Sequence, residues 1–137
     1  MRSRTDATDT ISFAVPARRG PQLPAADASV PVPVVYEDDA IVVVNKPPGL
    51  VVHAGAGHPD ATLVNGLLAR YPEIAGVVDP RDPEGYLRPG IVHRLDGGTS
   101  GLMVVARTAE ARSALVSMLA EREVGREYTA LVEGHLA

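Results

Sequence analysis

The stretch VVYEDDAIVVVN, residues 34–45, contains two runs rich in β-branched residues with an acidic turn between them. Such runs favour strands, because branched side chains pack well on a pleated surface. The stretch therefore predicts two short strands, over residues 34–36 and 40–45. The segment KPPG, residues 46–49, ends the second strand, since consecutive prolines lack the backbone donors that a sheet ladder needs.

Two further segments predict helices. Thr62 is the predicted N-cap of a helix that runs to Arg70 and ends before Pro72. Thr108 is the predicted N-cap of a second helix, which ends in the charged run ERE, residues 121–123. The predicted apolar face of this second helix consists of Ala111, Leu115, Met118 and Leu119.

The remaining runs complete the order of elements. Residues 50–53 predict a further extended run, and residues 102–106 and 126–133 predict strands. Residues 79–90 hold three prolines and two glycines and predict a loop. The order β-β-α-loop-β-α-β indicates an α+β fold without an internal repeat.

Composition argues against several classes of protein. The 137 residues have the length of one ordinary domain, and the absence of cysteine excludes a disulfide scaffold and a thiolate zinc site and fits the reducing cytosol. We expect no metal, secretory signal or membrane-spanning segment, because the histidines are not spaced as ligands and no long apolar run occurs. The four histidines are His53, His58, His93 and His135.

The formal net charge of −4 argues against a nucleic-acid partner, because contacts to phosphate supply most of the sequence-independent affinity. The acidic excess lies in residues 31–86, which carry three basic and eight acidic side chains. Residues 87–137 carry six of each sign. Net charge alone therefore does not decide the partner.

The segment GIVHRLDGGTSG, residues 90–101, concentrates polar groups and glycines between two apolar runs. In an extended chain, Arg94 and Asp96 lie on the same side and can share one pocket. A neighbouring arginine favours the ionised carboxylate, which suits a nucleophile. The last three glycines of the segment allow close approach of the backbone to a ligand. From spacing alone, a structural ion pair that braces a turn remains the alternative.

Three motifs in order resemble one known family. HRLDGGTSG, residues 93–101, resembles the signature of the RluA family of pseudouridine synthases, whose aspartate falls on Asp96. AIVVVNKPPGLVVH, residues 40–53, is similar to the first motif of that family. REYTALVEG, residues 126–134, is similar to a later motif whose tyrosine falls on Tyr128.

The likeness covers roughly residues 33–136 and is greatest to the subfamily that acts on large-subunit ribosomal RNA, in which an S4-like RNA-binding domain precedes the catalytic domain. It implies that residues 1–32 are a linker or the tail of such a domain. Residues 33–137 would be the N-terminal part of a catalytic domain with a mixed, mainly antiparallel sheet and flanking helices. We therefore expect a chain shortened at both ends, from a cytoplasmic monomer that binds large-subunit ribosomal RNA and no membrane.

The resemblance implies a cofactor-free isomerisation of uridine to pseudouridine in RNA. Asp96 would act as nucleophile or base at the sugar after the base is flipped out of the RNA. Arg94 would hold the flipped-out state, and Tyr128 would pack against the base. The alternatives are the structural ion pair for Arg94 and a core strand aromatic for Tyr128.

Four further residues match the motifs with weaker individual cases. His93 and Thr99 would shape the loop. Asn45 and Lys46 would contact RNA phosphate or brace the active-site loop, and the alternative for Lys46 is a solvated lysine at a strand end. Positions 97 and 98 hold glycine where many members of the family carry charged residues, which would loosen the loop.

Two other functions remain open from the sequence. One is an RNA-binding or folding-assistance module of the same family that performs no turnover. The other is a small-molecule aspartyl enzyme, which ranks last because no phosphate loop and no second catalytic carboxylate with defined spacing is present. The modified uridine is not decided by the sequence.

Overall fold

The computed structural model describes residues 24–55 and 60–134. It confirms an α+β fold, in which a three-stranded antiparallel sheet is accompanied by two α-helices and two short 3-10 turns. The elements are β1 (Val34–Glu37), β2 (Ile41–Lys46), α1 (Leu63–Arg70), β3 (Gly101–Ala106) and α2 (Ala109–Ala120), with 3-10 turns at Pro72–Gly76 and Gly85–Leu87. In this part of the chain no helix is long and apolar enough to cross a membrane.

The sheet has the order β1-β2-β3, so that β2 is central. Val44 pairs with Met103 and Val42 with Val105, and all four side chains are buried on the face that carries the core. Side chains alternate between the two faces of a strand, so Lys46 lies on the core face and Asn45 on the opposite face.

Helix α1 covers the core face of the sheet, and its first turn is bonded to the loop that follows β2. Leu63 N donates to Val51 O over 2.8 Å and Val64 N donates to Val52 O over 3.0 Å. The predicted extended run over residues 50–53 does not join the sheet, because the carbonyls of Val51 and Val52 accept from the free donors of a helix N-terminus instead of from a ladder. The predicted start at Thr62 and the end at Arg70 are confirmed.

The described part of the N-terminal segment, residues 24–32, packs against α1. Asn65 Nδ2 donates to Ala25 O over 2.7 Å, and Asp27 N donates to Asn65 O over 2.9 Å. A Cβ on Gly66 would lie 2.8 Å from Val30 O, so the helix needs glycine at this contact. Residues 24–32 thus belong to the packed domain. The assignment of residues 1–32 to a linker or the tail of an S4-like domain stays a prediction, because residues 1–23 lie outside the described residues.

The strand predicted over residues 126–133 is wrong. This segment is irregular, and its large apolar side chains are exposed, with Tyr128 at 67% and Leu131 at 103% of the full side-chain exposure. A strand needs a neighbour for its backbone groups, and no described strand pairs with this segment. Alternating composition alone therefore did not produce a strand.

Helix α2 begins where the sequence predicts. Thr108 Oγ1 accepts a hydrogen bond from Ala111 N over 3.1 Å, which confirms the N-cap. The predicted apolar face is only half buried, however, and Met118 is 39% exposed. The helix contacts β3 and leaves much of its surface open among the described residues.

Candidate active site

Asp96 lies on a tight turn that follows an extended segment. Leu95 is buried in the core, whereas Arg94 and Asp96 on either side of it are exposed. This is the alternation that the extended pattern predicted. Thr99 N donates to Asp96 O over 3.0 Å and closes the turn. The carboxylate of Asp96 therefore stands at the surface on a backbone anchored from below by Leu95.

The turn is held against the loop after β2 by a buried lysine. Lys46 is completely buried, and its Nζ donates to Leu50 O over 2.8 Å, Pro47 O over 3.0 Å and Gly97 O over 3.2 Å. Gly49 N also donates to Gly97 O, over 2.8 Å. Lys46 is thus neither a solvated strand-end lysine nor a contact for RNA phosphate in this structure. It connects the two loops on either side of the site.

The charge of Asp96 acts on the buried lysine beneath its turn. Burial lowers the pKa of Lys46, and the nearby charge of Asp96 acts in the opposite direction and raises it. The two groups therefore attract each other across the turn. Arg94 and Asp96 do not form an ion pair within 4.0 Å. The structural pair that spacing left open is not formed.

The glycines of the turn differ in what they require. Gly101 has a φ of +139°, which a side chain would strain. Gly97 and Gly98 do not have left-handed φ values, and a Cβ on Gly98 would meet no atom within 4 Å. The fold itself therefore does not require glycine at positions 97 and 98, and the prediction that these glycines let the backbone approach a ligand closely stays a prediction.

His93 bonds to the edge strand instead of standing free. Val104 N donates to His93 Nε2 over 3.1 Å, so Nε2 is unprotonated and the neutral ring carries its proton on Nδ1. Burial lowers the pKa of His93, and the positive charge of Arg126 lowers it further. The side chain therefore replaces a backbone acceptor beside β3.

A cavity of about 750 Å³ opens beside this segment. Its walls include His93 and Thr99 from the motif, Leu102 and Val104 from β3, and Tyr128 from the irregular segment after α2. The 67% exposure of Tyr128 contradicts a role as a core strand aromatic. The structure thus brings His93, Thr99 and Tyr128 together around one cavity.

Asp96 and Arg94 do not line this cavity, although Leu95 and Thr99 on either side of Asp96 do. Asn45 is exposed on the same sheet face as Val43, which also lines the cavity. The predicted residues therefore occupy one region without all meeting in one enclosed pocket.

His53 was missed by the sequence reasoning, which considered it only as a metal ligand. His53 is half-buried, and its Nδ1 has no hydrogen-bond partner among the described residues. Burial lowers the pKa of His53, and the positive charges of Arg94 and Arg88 lower it further. The signal that could have indicated it is its position at the end of the first motif. No three side chains of the described part are gathered as metal ligands.

Comparisons with known proteins point to one family. The family model for RNA pseudouridylate synthase matches residues 40–136. Ribosomal large subunit pseudouridine synthase D of Xanthomonas campestris pv. campestris is 53% identical over 115 residues, which are 84% of this chain and 32% of that protein. The protein of the same name from Xylella fastidiosa is 52% identical over 108 residues, which are 79% of this chain and 30% of that protein.

Among solved structures, Human RNA Pseudouridylate Synthase Domain Containing 1 matches with a TM-score of 0.47 and 26% identity, over 68% of this chain and 29% of that one. The chain spans about a third of the length of the curated relatives it matches. The family model covers well over half of the chain and includes the Asp96 turn, the buried lysine and the segment that carries Tyr128. The chain belongs to the RNA pseudouridylate synthase family.

Proposed function

We propose that this chain carries the catalytic aspartate of a pseudouridine synthase that isomerises uridines in large-subunit ribosomal RNA in the cytoplasm. The observation that supports this most is the exposed carboxylate of Asp96 on a turn braced by Leu95 and Lys46, inside the region that the family model matches. The curated relatives bear the name ribosomal large subunit pseudouridine synthase D.

The reaction rearranges bonds within one nucleotide. The bond between the sugar C1′ and the uracil N1 breaks, the uracil turns, and a bond from C1′ to C5 forms. The proton on C5 leaves and N1 gains a proton, so atoms balance without a cofactor. Asp96 acts at the sugar as nucleophile or base, and its ionised form suits either role.

The base must leave its stack before this carboxylate can reach the sugar. Arg94 is exposed near Asp96, so the guanidinium of Arg94 is free to hold the uridine in its flipped-out state. The exposed ring of Tyr128 offers a surface on which the uracil packs. The cavity of about 750 Å³ beside Tyr128 lies within the range of small-ligand sites, which is ~300–1,000 Å³.

The local charge supports an RNA partner in spite of the net charge of −4. Arg94 is exposed beside Asp96, and Arg126 lines the cavity. Arg94 and Arg88 both lie near enough to His53 for their charges to lower its pKa. We propose that Arg94 and Arg126 contact the phosphates next to the flipped nucleotide. Asn45, exposed on the sheet face of the cavity, is a further RNA contact in this proposal.

We expect the natural protein to modify large-subunit ribosomal RNA and to leave free uridine and UMP unchanged. A free nucleotide offers none of the backbone contacts that position a flipped base. The test maps pseudouridines in ribosomal RNA from a strain that lacks the gene and from the same strain complemented with it. An unchanged modification pattern in the deletion strain, or turnover of UMP at the rate of the RNA, would contradict the proposal.

We also expect Lys46→Met to lower turnover by ~10- to 100-fold while RNA binding changes little, because the Asp96 turn loses the ammonium that connects it to the Pro47–Leu50 loop. Single-turnover kinetics at saturating RNA measure the effect. The comparison variant is Asn45→Ala, whose side chain lies on the opposite, exposed face of β2. It should change RNA affinity and leave turnover at saturation nearly unaltered. Equal turnover in Lys46→Met and wild type would show that the brace does not matter for the reaction.

A further inference from the structure

His93 joins the segment that carries Asp96 to the edge strand of the sheet. Upstream, Ile91 forms a single bridge with Val105. His93 then replaces the next backbone contact, because its Nε2 accepts the hydrogen bond of Val104 N. Leu95 follows in the core, and Asp96 begins the turn. The imidazole is therefore the last bond between the segment and β3 before the carboxylate.

This bond requires one protonation state. A neutral imidazole with its proton on Nδ1 accepts at Nε2, whereas an imidazolium donates at both nitrogens and has no acceptor to offer. Protonation would thus leave two donors, Val104 N–H and Nε2–H, facing each other at the 3.1 Å that now separates the nitrogens. The contact would open, and the Asp96 segment would stay attached to β3 only upstream, at the bridge between Ile91 and Val105.

Burial of His93 and the positive charge of Arg126 act in the same direction, against protonation of the imidazole. Arg126 and Glu127 face it across the cavity, and Arg126 is the one whose charge disfavours protonation. The segment that contains His93 also carries Arg94 and Asp96, and β2 contributes Lys46 beneath the Asp96 turn. Tyr128 also lines the cavity, while β3 contributes only apolar side chains and Gly101.

We propose that His93 is a positioning residue that holds Asp96 in its working place only while the imidazole is neutral, so that His93 limits turnover on the acid side. This inference rests on the proposed function. Because the pKa of His93 is lowered in the folded protein, the contribution is complete above the ordinary histidine pKa of about 6.5 and is lost as the pH falls through that lowered pKa.

The first test compares turnover at saturating RNA at about pH 7.5 with turnover at an acidic pH at which NMR shows the imidazole of His93 to be protonated. Wild type should lose turnover several-fold on acidification. His93→Gln places an amide oxygen where Nε2 stands, so it should keep most of the turnover at the upper pH and lose less than about twofold on acidification, since an amide does not titrate. His93→Leu removes the acceptor and should lower turnover ~10- to 100-fold at the upper pH, with little further loss on acidification.

The second test does not depend on activity. Nitrogen NMR of His93 in the folded protein should show an unprotonated Nε2 and a protonated Nδ1 at neutral pH, and the signal should change as the pH is lowered. An Nε2–H tautomer at neutral pH would overturn the inference. So would an acid loss in His93→Gln equal to that of wild type, or a loss of turnover in His93→Gln as large as in His93→Leu. Absence of pseudouridine from the wild-type protein would instead contradict the proposed function and leave the NMR test intact.

Discussion

Asp96→Asn should abolish pseudouridine formation, with turnover at least about 10³-fold below wild type, while RNA affinity stays within a few-fold. The substitution removes the carboxylate that we propose acts at the sugar, and it keeps the size and shape of the side chain. Asp96 is exposed and makes no ion pair with the described arginines and lysine, so its loss should not unfold the protein. Single-turnover kinetics and RNA binding by filter retention measure the two quantities.

Asp39→Asn is the matched control, because Asp39 is also exposed and lies in the turn between β1 and β2, away from the cavity. Its turnover should equal that of wild type. Near-wild-type turnover in Asp96→Asn would remove Asp96 from the reaction. If wild type and both variants bind RNA but show no turnover, the result would favour an RNA-binding module that performs no chemistry.

Gly90→Ala should destabilise the fold by about 3 kcal/mol or more, the largest stability effect that we expect from one methyl group. Gly90 has a φ of +71°, and an added Cβ would lie 2.6 Å from Ala106 O and 2.6 Å from a methyl group of Ile74. Its backbone is engaged as well, since Gly90 N donates to Val77 O over 2.7 Å and Gly90 O accepts from Ala106 N over 2.9 Å. The backbone therefore has little freedom to move away from the new atom.

Urea unfolding at neutral pH measures this loss as a fall in the midpoint. Gly98→Ala is the control, because a Cβ there meets no atom within 4 Å and the φ is not left-handed. We expect that variant to stay within about 1 kcal/mol of wild type. Equal midpoints for Gly90→Ala and Gly98→Ala would show that the close contacts at Gly90 relax without cost.

Local signals predicted the elements that are formed by neighbours in the chain. The β-branched runs before and after the acidic turn form β1 and β2, and Thr62 and Thr108 begin the two helices. The two-residue alternation of side chains along β2 also predicts that Lys46 is buried, although the sequence analysis did not use it. Position 46 has the same parity as Val42 and Val44, so a lysine there faces the core and not the solvent.

Other features depend on tertiary contacts that the sequence pattern does not contain. The segment after Gly125 has the composition of a strand, but strand formation requires a neighbour at its side. The bond from Val104 N to His93 depends on how residues 91–93 lie along β3. The motif identified Asp96 as a candidate, whereas the buried lysine that braces its turn became visible only in the folded chain.

We propose that the natural protein exchanges the bond at N1 of a uridine for a bond at C5. A large-subunit ribosomal RNA transcript that carries tritium at C5 of its uridines tests this exchange. Because the new bond displaces the hydrogen on C5, the natural protein should release tritium into water in step with pseudouridine formation, and Asp96→Asn should release none. RNA that is bound tightly by the wild-type protein but releases no tritium would contradict the account.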